Sequence, residues 1–377
     1  MKIAYVTPYY NGACDGRYGR FHDWIHAVRD ADDPPFDAEV YAFTASNPDK
    51  MLASTPHAYL GEATDLWGTK WNKLEFLLNA RRVRKALIEA EYDLIHALTM
   101  DTVVLPTVLS IAQDVPLVVG PDISGWSPIR RGSFEREPLG DWIKNRLRYV
   151  LKNMFARTVP YDRIVAFSEY HRDILSSFGI PSQHTNLLRP GVAERFHPGE
   201  EQNPHHPPEL LYVGDFSAHK GYFQFLHALS RLDRSFDAHL IGAGDPHIER
   251  IRDLGISDSV TVEGFVPRSK LPAHYQSADL FVLPSIDEMG PNTQIEALAC
   301  GTPVVATDQL GINEYVSDDA AVLFSPREAE PLAAALNCAL DNLDRLQAGA
   351  HQISSSFRAI DTAKSLEDTY QQVLANP

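Results

Sequence analysis

The stretch "DLFVLPSIDEMGPNTQIEALACGTPVVAT", residues 279–307, contains two short apolar runs with a helical segment between them. The runs 279–284 and 303–307 are rich in Val, Leu and Phe, as are strands that are buried on both faces of a parallel sheet. Pro291 suits the first turn of a helix, and Gly301 is typical of a helix end. The stretch therefore predicts a strand, a loop, a helix and a second strand, which is one unit of a doubly wound sheet.

Two carboxylates of this stretch, Glu288 and Glu296, are eight residues apart. On one continuous helix they would share a face, but the pair Gly290-Pro291 between them breaks a helix interior. We therefore expect Glu288 on the loop after the strand and Glu296 on the helix. The free amides of a helix start attract anionic, oxygen-rich ligands, and nearby carboxylates accept hydrogen bonds from hydroxyl groups.

The same alternation of apolar runs and helix-like segments occurs throughout the chain, in two sets of five. The ten runs are residues 2–6, 39–43, 93–97, 116–120, 163–167, 209–214, 238–242, 259–264, 279–284 and 303–307. This spacing predicts an α/β fold with two Rossmann-like, doubly wound parallel-sheet domains that face a central cleft.

We place the first domain at residues 1–190 and the second at 191–357, and we expect a helix at about 358–377 to pack back on the first domain. The polar, Pro-rich stretch 199–209 has the composition of a linker between them. In such a fold ligands bind at the carboxyl ends of the strands.

The chain has 377 residues and a formal net charge of −16. Residues 1–190 hold 22 basic and 23 acidic residues, whereas residues 191–377 hold 12 and 27, so the two halves face different surroundings. Neither half is basic enough to indicate nucleic-acid binding. With 30 Asp and only 10 Lys, the acidity fits either adaptation to a salty cytoplasm (a halophilic protein) or plain acidity.

Two basic, amphipathic segments of the first half stand out against this acidity. Residues 130–157 hold eight basic and three acidic residues, and residues 69–87 have a similar pattern. One interpretation is a pair of core-packing helices with basic outer faces. The other is peripheral contact with an anionic membrane or with an anionic acceptor.

The cysteine content, the first ten residues and the longest apolar stretch indicate a cytoplasmic protein. Cys14, Cys300 and Cys338 are odd in number and far apart, which fits a reducing compartment without a disulfide framework or a zinc site. The start "MKIAYVTPYY" is typical of a strand and not of a signal peptide. The apolar stretch 102–119 contains Asp114 and two prolines, so it predicts a helix followed by a strand instead of a membrane span.

Three parts of the sequence together resemble the retaining glycosyltransferases of family 4, which have the GT-B fold. They are Glu288-x7-Glu296 with "ALACGTPVVAT", "LLYVGDFSAHKGYFQFLHAL" (210–229) and "VTVEGFVPRSKLPAHYQSADLFVLPS" (260–285). The resemblance extends over most of the chain, and the ensemble is specific where any single motif is weak. It implies transfer of a sugar from a UDP- or GDP-sugar to an acceptor, with no other cofactor and no metal.

The resemblance also implies roles for individual residues. Glu296 would hold the ribose hydroxyls, Glu288 would lie beside the donor sugar, and Lys220 would neutralise the diphosphate leaving group. The other residues that it places at the donor are Gly12, Gly16, Gly214, Phe265, Val266, Met289, Gly290, Pro291, Asn292 and Thr293. Of these, Phe265 and Val266 would frame the nucleobase.

The chain departs from the family pattern at three positions. Asp215 stands where the family usually has an arginine, so Lys220, Arg189 or a cation would have to stabilise the leaving group. Asp122 stands near the position of a frequent family histidine. It either positions or deprotonates the acceptor hydroxyl as a third catalytic residue, or only forms a turn. Ala193 replaces a usual aspartate.

We therefore expect a retaining glycosyltransferase whose acceptor is a lipid-linked glycan or a surface polysaccharide, at the inner face of the membrane. Two alternatives stay open. One is a transferase that acts on a small soluble acceptor. The other is a catalytically silent homologue that binds the nucleotide-sugar, an alternative that Asp215 and the missing histidine favour.

Overall fold

The computed structural model contains two six-stranded sheets and describes most of the chain. The described residues are 1–11, 19–46, 70–99, 104–110, 115–122, 160–200, 204–286, 288, 290–309, 311–325 and 329–375. The predicted site residues Gly12, Gly16 and Met289 lie outside these ranges, as does the basic segment 130–157. For Asp122 only the backbone is described.

The first sheet has the strand order β2-β1-β3-β4-β5-β6, and all of its strands are parallel. Its strands are β1 (Lys2–Asn11), β2 (Asp37–Ser46), β3 (Leu94–Thr99), β4 (Leu117–Asp122), β5 (Arg163–Ala166) and β6 (Thr185–Leu187). Its described helices are α1 (Gly19–Asp30), α2 (Lys70–Glu89), α3 (Val104–Leu109) and α4 (Glu169–Ser177). Apolar clusters cover both faces of the sheet, which explains why these strands read as continuous hydrophobic runs.

The second sheet has the order β12-β11-β10-β7-β8-β9 and is also parallel throughout. Its strands are β7 (Glu209–Val213), β8 (Asp237–Ile241), β9 (Val260–Glu263), β10 (Leu280–Leu283), β11 (Val304–Thr307) and β12 (Ala321–Phe324). Its helices are α5 (Tyr222–Leu229), α6 (Ile248–Asp253), α7 (Leu271–Ser277), α8 (Asn292–Ala299), α9 (Ala329–Asp341) and α10 (Leu343–Ile353). The predicted two-sheet α/β architecture is therefore confirmed.

The chain crosses between the two sheets earlier than the composition indicates. Val192 N–H donates to Phe357 O and Ala359 N–H donates to Val192 O, so the outgoing and returning segments lie side by side. Residues 204–209 instead lie against the second sheet, where His205 N–H donates to Asp279. The crossover between the sheets is thus at Val192, and the polar residues that were expected to form a linker pack against the second sheet.

The last helix, α11 (Ala359–Ala375), packs on helix α1 of the first domain. Its Tyr370 hydroxyl lies 2.6 Å from His96 Nδ1, and His96 Nε2 lies 2.7 Å from Gly120 O. Because a carbonyl oxygen only accepts, His96 carries its proton on Nε2, and Nδ1 accepts from Tyr370. Burial lowers the pKa of His96 to about 4.

Helix α2 contains residues 70–87 of the basic segment 69–87. Val83 and Leu87 are buried, whereas Arg81, Arg82 and Lys85 are exposed, so the second half of this helix has an apolar inner face and a basic outer face. Among the helices that the structure describes, none has the length and apolarity needed to span a bilayer.

Candidate active site

The loop after β7 places Lys220 beside the end of β10. Gly221 has φ +69°, and a Cβ atom on it would lie 1.9 Å from Pro284 O. Ile286 N–H donates to His219 O at 2.9 Å, which joins the two loops a second time. Only glycine permits this approach, because any side chain would collide with the backbone of the neighbouring loop.

Lys220 and Glu288 form an ion pair across these loops, with Lys220 Nζ donating to Glu288 Oε1. The two side chains are 28% and 16% exposed, so both still reach the cleft. Burial alone would lower the pKa of Lys220, but the Glu288 carboxylate outweighs it and raises that pKa above its usual value. Lys220 is therefore a positive point charge, suited to a phosphate group.

Helix α8 begins directly after this pair. Gly290 has φ +141°, a conformation that other residues rarely adopt, and Pro291 precedes the first helical residue with φ −72°. The amides of Asn292 and Thr293 belong to the first turn, where backbone donors have no intrahelical acceptor. Glu288 thus lies on the loop and Glu296 on the helix, so the two carboxylates are on separate elements.

Glu296 is almost fully buried, with 2% exposure, and both of its oxygens have protein partners. Arg268 Nε donates to Oε1 at 2.6 Å, and the Tyr275 hydroxyl donates to Oε2 at 3.0 Å. The carboxylate predicted to hold the ribose hydroxyls therefore already accepts hydrogen bonds from Arg268 and Tyr275, which both follow β9. Nothing in the spacing of the sequence indicated this engagement.

Arg268 also reaches the first domain. Its Nη1 and Nη2 donate to the two oxygens of Asp23 on helix α1, at 3.0 and 2.7 Å. Asp23 further accepts from Ala193 N–H at 3.0 Å, and Arg195 Nη2 lies 3.6 Å from it. Burial opposes the charge of Arg268, but Asp23 and Glu296 outweigh it and raise the pKa of the guanidinium group.

Three more of the predicted donor residues, Gly214, Phe265 and Val266, lie along the same edge of the second sheet. Gly214 follows β7, and a Cβ atom on Gly242 would lie 1.8 Å from Gly214 O, so the ends of β7 and β8 approach closely. Phe265 follows β9 with 71% of its surface exposed, whereas Val266 is buried. An exposed aromatic ring beside a cleft offers a stacking surface.

The structure also places Asp215, Arg189 and Asp122. Asp215 is exposed, and its charge contributes to the raised pKa of Lys220. The Arg189 guanidinium group lies 4.9 Å from the centre of the Phe357 ring, at the crossover between the sheets. Asp122 ends strand β4, and its Cα is paired with Thr99 at the end of β3. Asp122 is thus at a carboxyl end of the first sheet, as a cleft residue must be.

A surface cavity of about 390 Å³ lies elsewhere on the second domain. It is lined by Asp279 and Pro303, which directly precede β10 and β11, and by His351 of helix α10. These are the amino ends of the strands, opposite to the edge that carries Lys220 and Glu288. Since ligands of doubly wound sheets bind at the carboxyl ends, this cavity is not the candidate site.

Comparison with known proteins agrees with this geometry. Residues 194–351 match the family model "Glycosyl transferases group 1". D-inositol 3-phosphate glycosyltransferase of Geodermatophilus obscurus is 30% identical over 235 residues, which are 55% of this chain and 52% of that protein. Amylovoran biosynthesis glycosyltransferase AmsK of Erwinia amylovora is 30% identical over 176 residues, 43% of each chain. The chain thus spans about half the length, or less, of the curated relatives that it matches.

A solved structure extends the comparison to the first domain. Anabaena Alr3699/HepE in complex with UDP superposes with a TM-score of 0.71 at 18% identity, over 99% of this chain and 100% of that chain. Two parallel doubly wound sheets with facing carboxyl ends define the GT-B class of proteins. The fold of this chain is of this class.

Proposed function

We propose that this protein transfers a sugar from a nucleotide-sugar to an acceptor glycan in the cleft between its two sheets. The observation that carries the proposal is the Lys220–Glu288 pair at the amino end of helix α8. A cation and helix amides beside a carboxylate supply what a sugar diphosphate needs, namely charge for the phosphates and an acceptor for a sugar hydroxyl.

In the proposed reaction the bond between the anomeric carbon and the diphosphate oxygen breaks, and Lys220 stabilises the negative charge that develops on that oxygen. Glu288 accepts a hydrogen bond from the donor sugar and orients its ring. The acceptor hydroxyl attacks from the face that the diphosphate leaves, and its proton passes to the departing phosphate oxygen. This retaining course rests on the resemblance to the family.

The proposed role of Glu296 at the ribose requires a rearrangement of its present partners. An ionised carboxylate has about four lone-pair sites, and Arg268 and Tyr275 occupy two of them. Because Glu296 is 2% exposed, ribose hydroxyls reach the other two only when the Arg268 side chain or the surrounding loop shifts.

For the acceptor we propose a lipid-linked glycan or a surface polysaccharide. Support comes from the basic outer face of α2, with Arg81, Arg82 and Lys85 exposed, and from the similarity to a protein named for amylovoran biosynthesis. Salt-sensitive binding to vesicles with anionic lipids, weakened by reversal of these three charges, is the expected result. Absence of binding at low salt would contradict the membrane part of the proposal and favour a soluble acceptor.

The test of the transfer activity is a panel of UDP- and GDP-sugars, with a lipid extract as acceptor and product mass as the readout. We expect Lys220→Met and Glu288→Gln to lower turnover by about 100-fold or more. Arg252→Met removes an exposed cation of the same domain, on helix α6, and serves as the control. Unchanged turnover in both site variants would show that the catalytic site is elsewhere.

A second candidate is a homologue that binds nucleotide-sugars without transferring the sugar. Two observations favour this candidate: buried Glu296 is already bonded to Arg268, and the carboxylate of Asp215 is near Lys220. Donor binding without release of nucleotide, in the presence of the lipid extract and of small sugar acceptors, would support this candidate over the transferase.

A further inference from the structure

Two histidines and a carboxylate meet at an edge of the second sheet, outside the site described above. They are His239 on β8, Glu263 at the end of β9, and His274 on α7. One potential ligand atom from each lies within 4.8 Å of the other two. His239 Nε2 and Glu263 Oε2 are already 3.0 Å apart, and the two imidazole rings have centroids 5.2 Å apart.

The sheet register explains why these residues meet. His239 pairs with Thr261, and Glu263 is two residues further along β9, so it projects from the same face as Thr261. Helix α7 supplies His274 to the same face. Sequence spacing gave no sign of this cluster, because the three residues come from three elements that only the sheet brings together.

The chemistry of the three side chains indicates a particular class of ion. Two imidazoles and one carboxylate are ligands that Zn²⁺ and similar transition metals bind, whereas Mg²⁺ and Ca²⁺ prefer oxygen alone. With bonds of about 2.0–2.1 Å, tetrahedral ligand atoms lie roughly 3.3 Å apart, so a modest side-chain movement brings the set into place. His239 is 20% and Glu263 is 46% exposed, which leaves the position open to solvent.

We propose that His239, Glu263 and His274 bind one Zn²⁺ ion, with water in the fourth position. The bound ion links β8, β9 and α7. These elements flank residues 264–270, the segment that contains Phe265 and Arg268. The ion therefore fixes the segment that, under the proposed function, frames the nucleobase.

The experiment uses tag-free, full-length protein that has been stripped with a chelator and titrated with Zn²⁺ in a calorimeter. The same protein is titrated with Co²⁺, whose visible absorption reports tetrahedral coordination. We expect one ion per chain, a rise in Tm on binding, and no comparable binding of Mg²⁺. His239→Ala and His274→Gln should each weaken binding at least tenfold, with folding checked by circular dichroism.

His205→Ala is the matched control. His205 also lies 3.0 Å from a carboxylate, that of Asp279, but does not belong to a three-residue set in the described part of the chain. Full Zn²⁺ affinity in the double variant His239→Ala/His274→Gln, or an equal loss in His205→Ala, would overturn the proposal. Loss of sugar transfer with Zn²⁺ binding intact would instead bear on the proposed function alone.

Discussion

Arg268 of the second domain and Asp23 of the first form a buried ion pair, with Nη2 and Oδ2 2.7 Å apart. The two side chains are 7% and 0% exposed, so water screens the pair very little. Because Glu296 accepts from the same guanidinium group, one arginine binds two carboxylates that come from different domains. Arg268 thus links the two domains through buried, charge-assisted hydrogen bonds.

Replacing this arginine should destabilise the protein strongly. In Arg268→Met the buried Glu296 loses its cation and Asp23 keeps only Arg195, at 3.6 Å, and breaking such a network costs about 3–5 kcal/mol. The control Arg345→Met removes a half-exposed partner of Asp319 and should cost at most about 1 kcal/mol. Denaturant unfolding measures both values.

Glu314 should couple the domains through a helix terminus. Its carboxylate accepts from the amides of Glu169 and Tyr170, at 2.6 and 3.1 Å, and so caps helix α4 of the other domain. We expect Glu314→Ala to cost about 1–2 kcal/mol and to speed hydrogen exchange on both sides of the junction. Ser168→Ala removes another cap of the same helix, at His171 N–H, and should speed exchange only within α4.

Gly221 should tolerate no side chain. Gly221→Ala combines a positive φ with a Cβ atom 1.9 Å from Pro284 O. Gly255→Ala is the matched control, since Gly255 has φ +71° and nothing within 4 Å of a Cβ atom. We expect the control to lose about 1–2 kcal/mol from backbone strain and Gly221→Ala to lose clearly more. Equal losses would mean that the loop yields and that Lys220 is not held by this contact.

His96 should make the protein less stable in acid. Its pKa is about 4 in the folded protein and about 6.5 unfolded, so the unfolded state binds more protons between these values and stability falls as pH falls through them. The contribution lost at pH 5 is about 2 kcal/mol. His96→Asn should flatten this part of the pH profile, whereas Tyr370→Phe, which removes a hydrogen bond but not the titrating group, should keep it.

Much of the fold could be predicted from local patterns. Ten apolar runs correspond to ten of the twelve strands in the described part of the chain, and the Gly290-Pro291 pair separates Glu288 from Glu296 as expected. The two strands that the patterns missed are short ones, β6 and β12, of three and four residues at the edges of the sheets. Strand β6 has one apolar residue, Leu187, among three, which leaves no periodicity to recognise, whereas β12 is as long as the four-residue strands that the runs did find.

The sequence by itself determined the alternation of strands and helices, the positions of Lys220 and Glu288 on loops and of Glu296 on a helix, and the resemblance to a family. These features depend on neighbouring residues and on periodicity. Only the tertiary structure decided that Arg268 lies between Asp23 and Glu296, although Asp23 is 245 residues away in the chain. The physical reason is that a buried charge needs a partner of opposite charge, and the packing of the two domains determines which residue that partner is. No local sequence pattern encodes this packing.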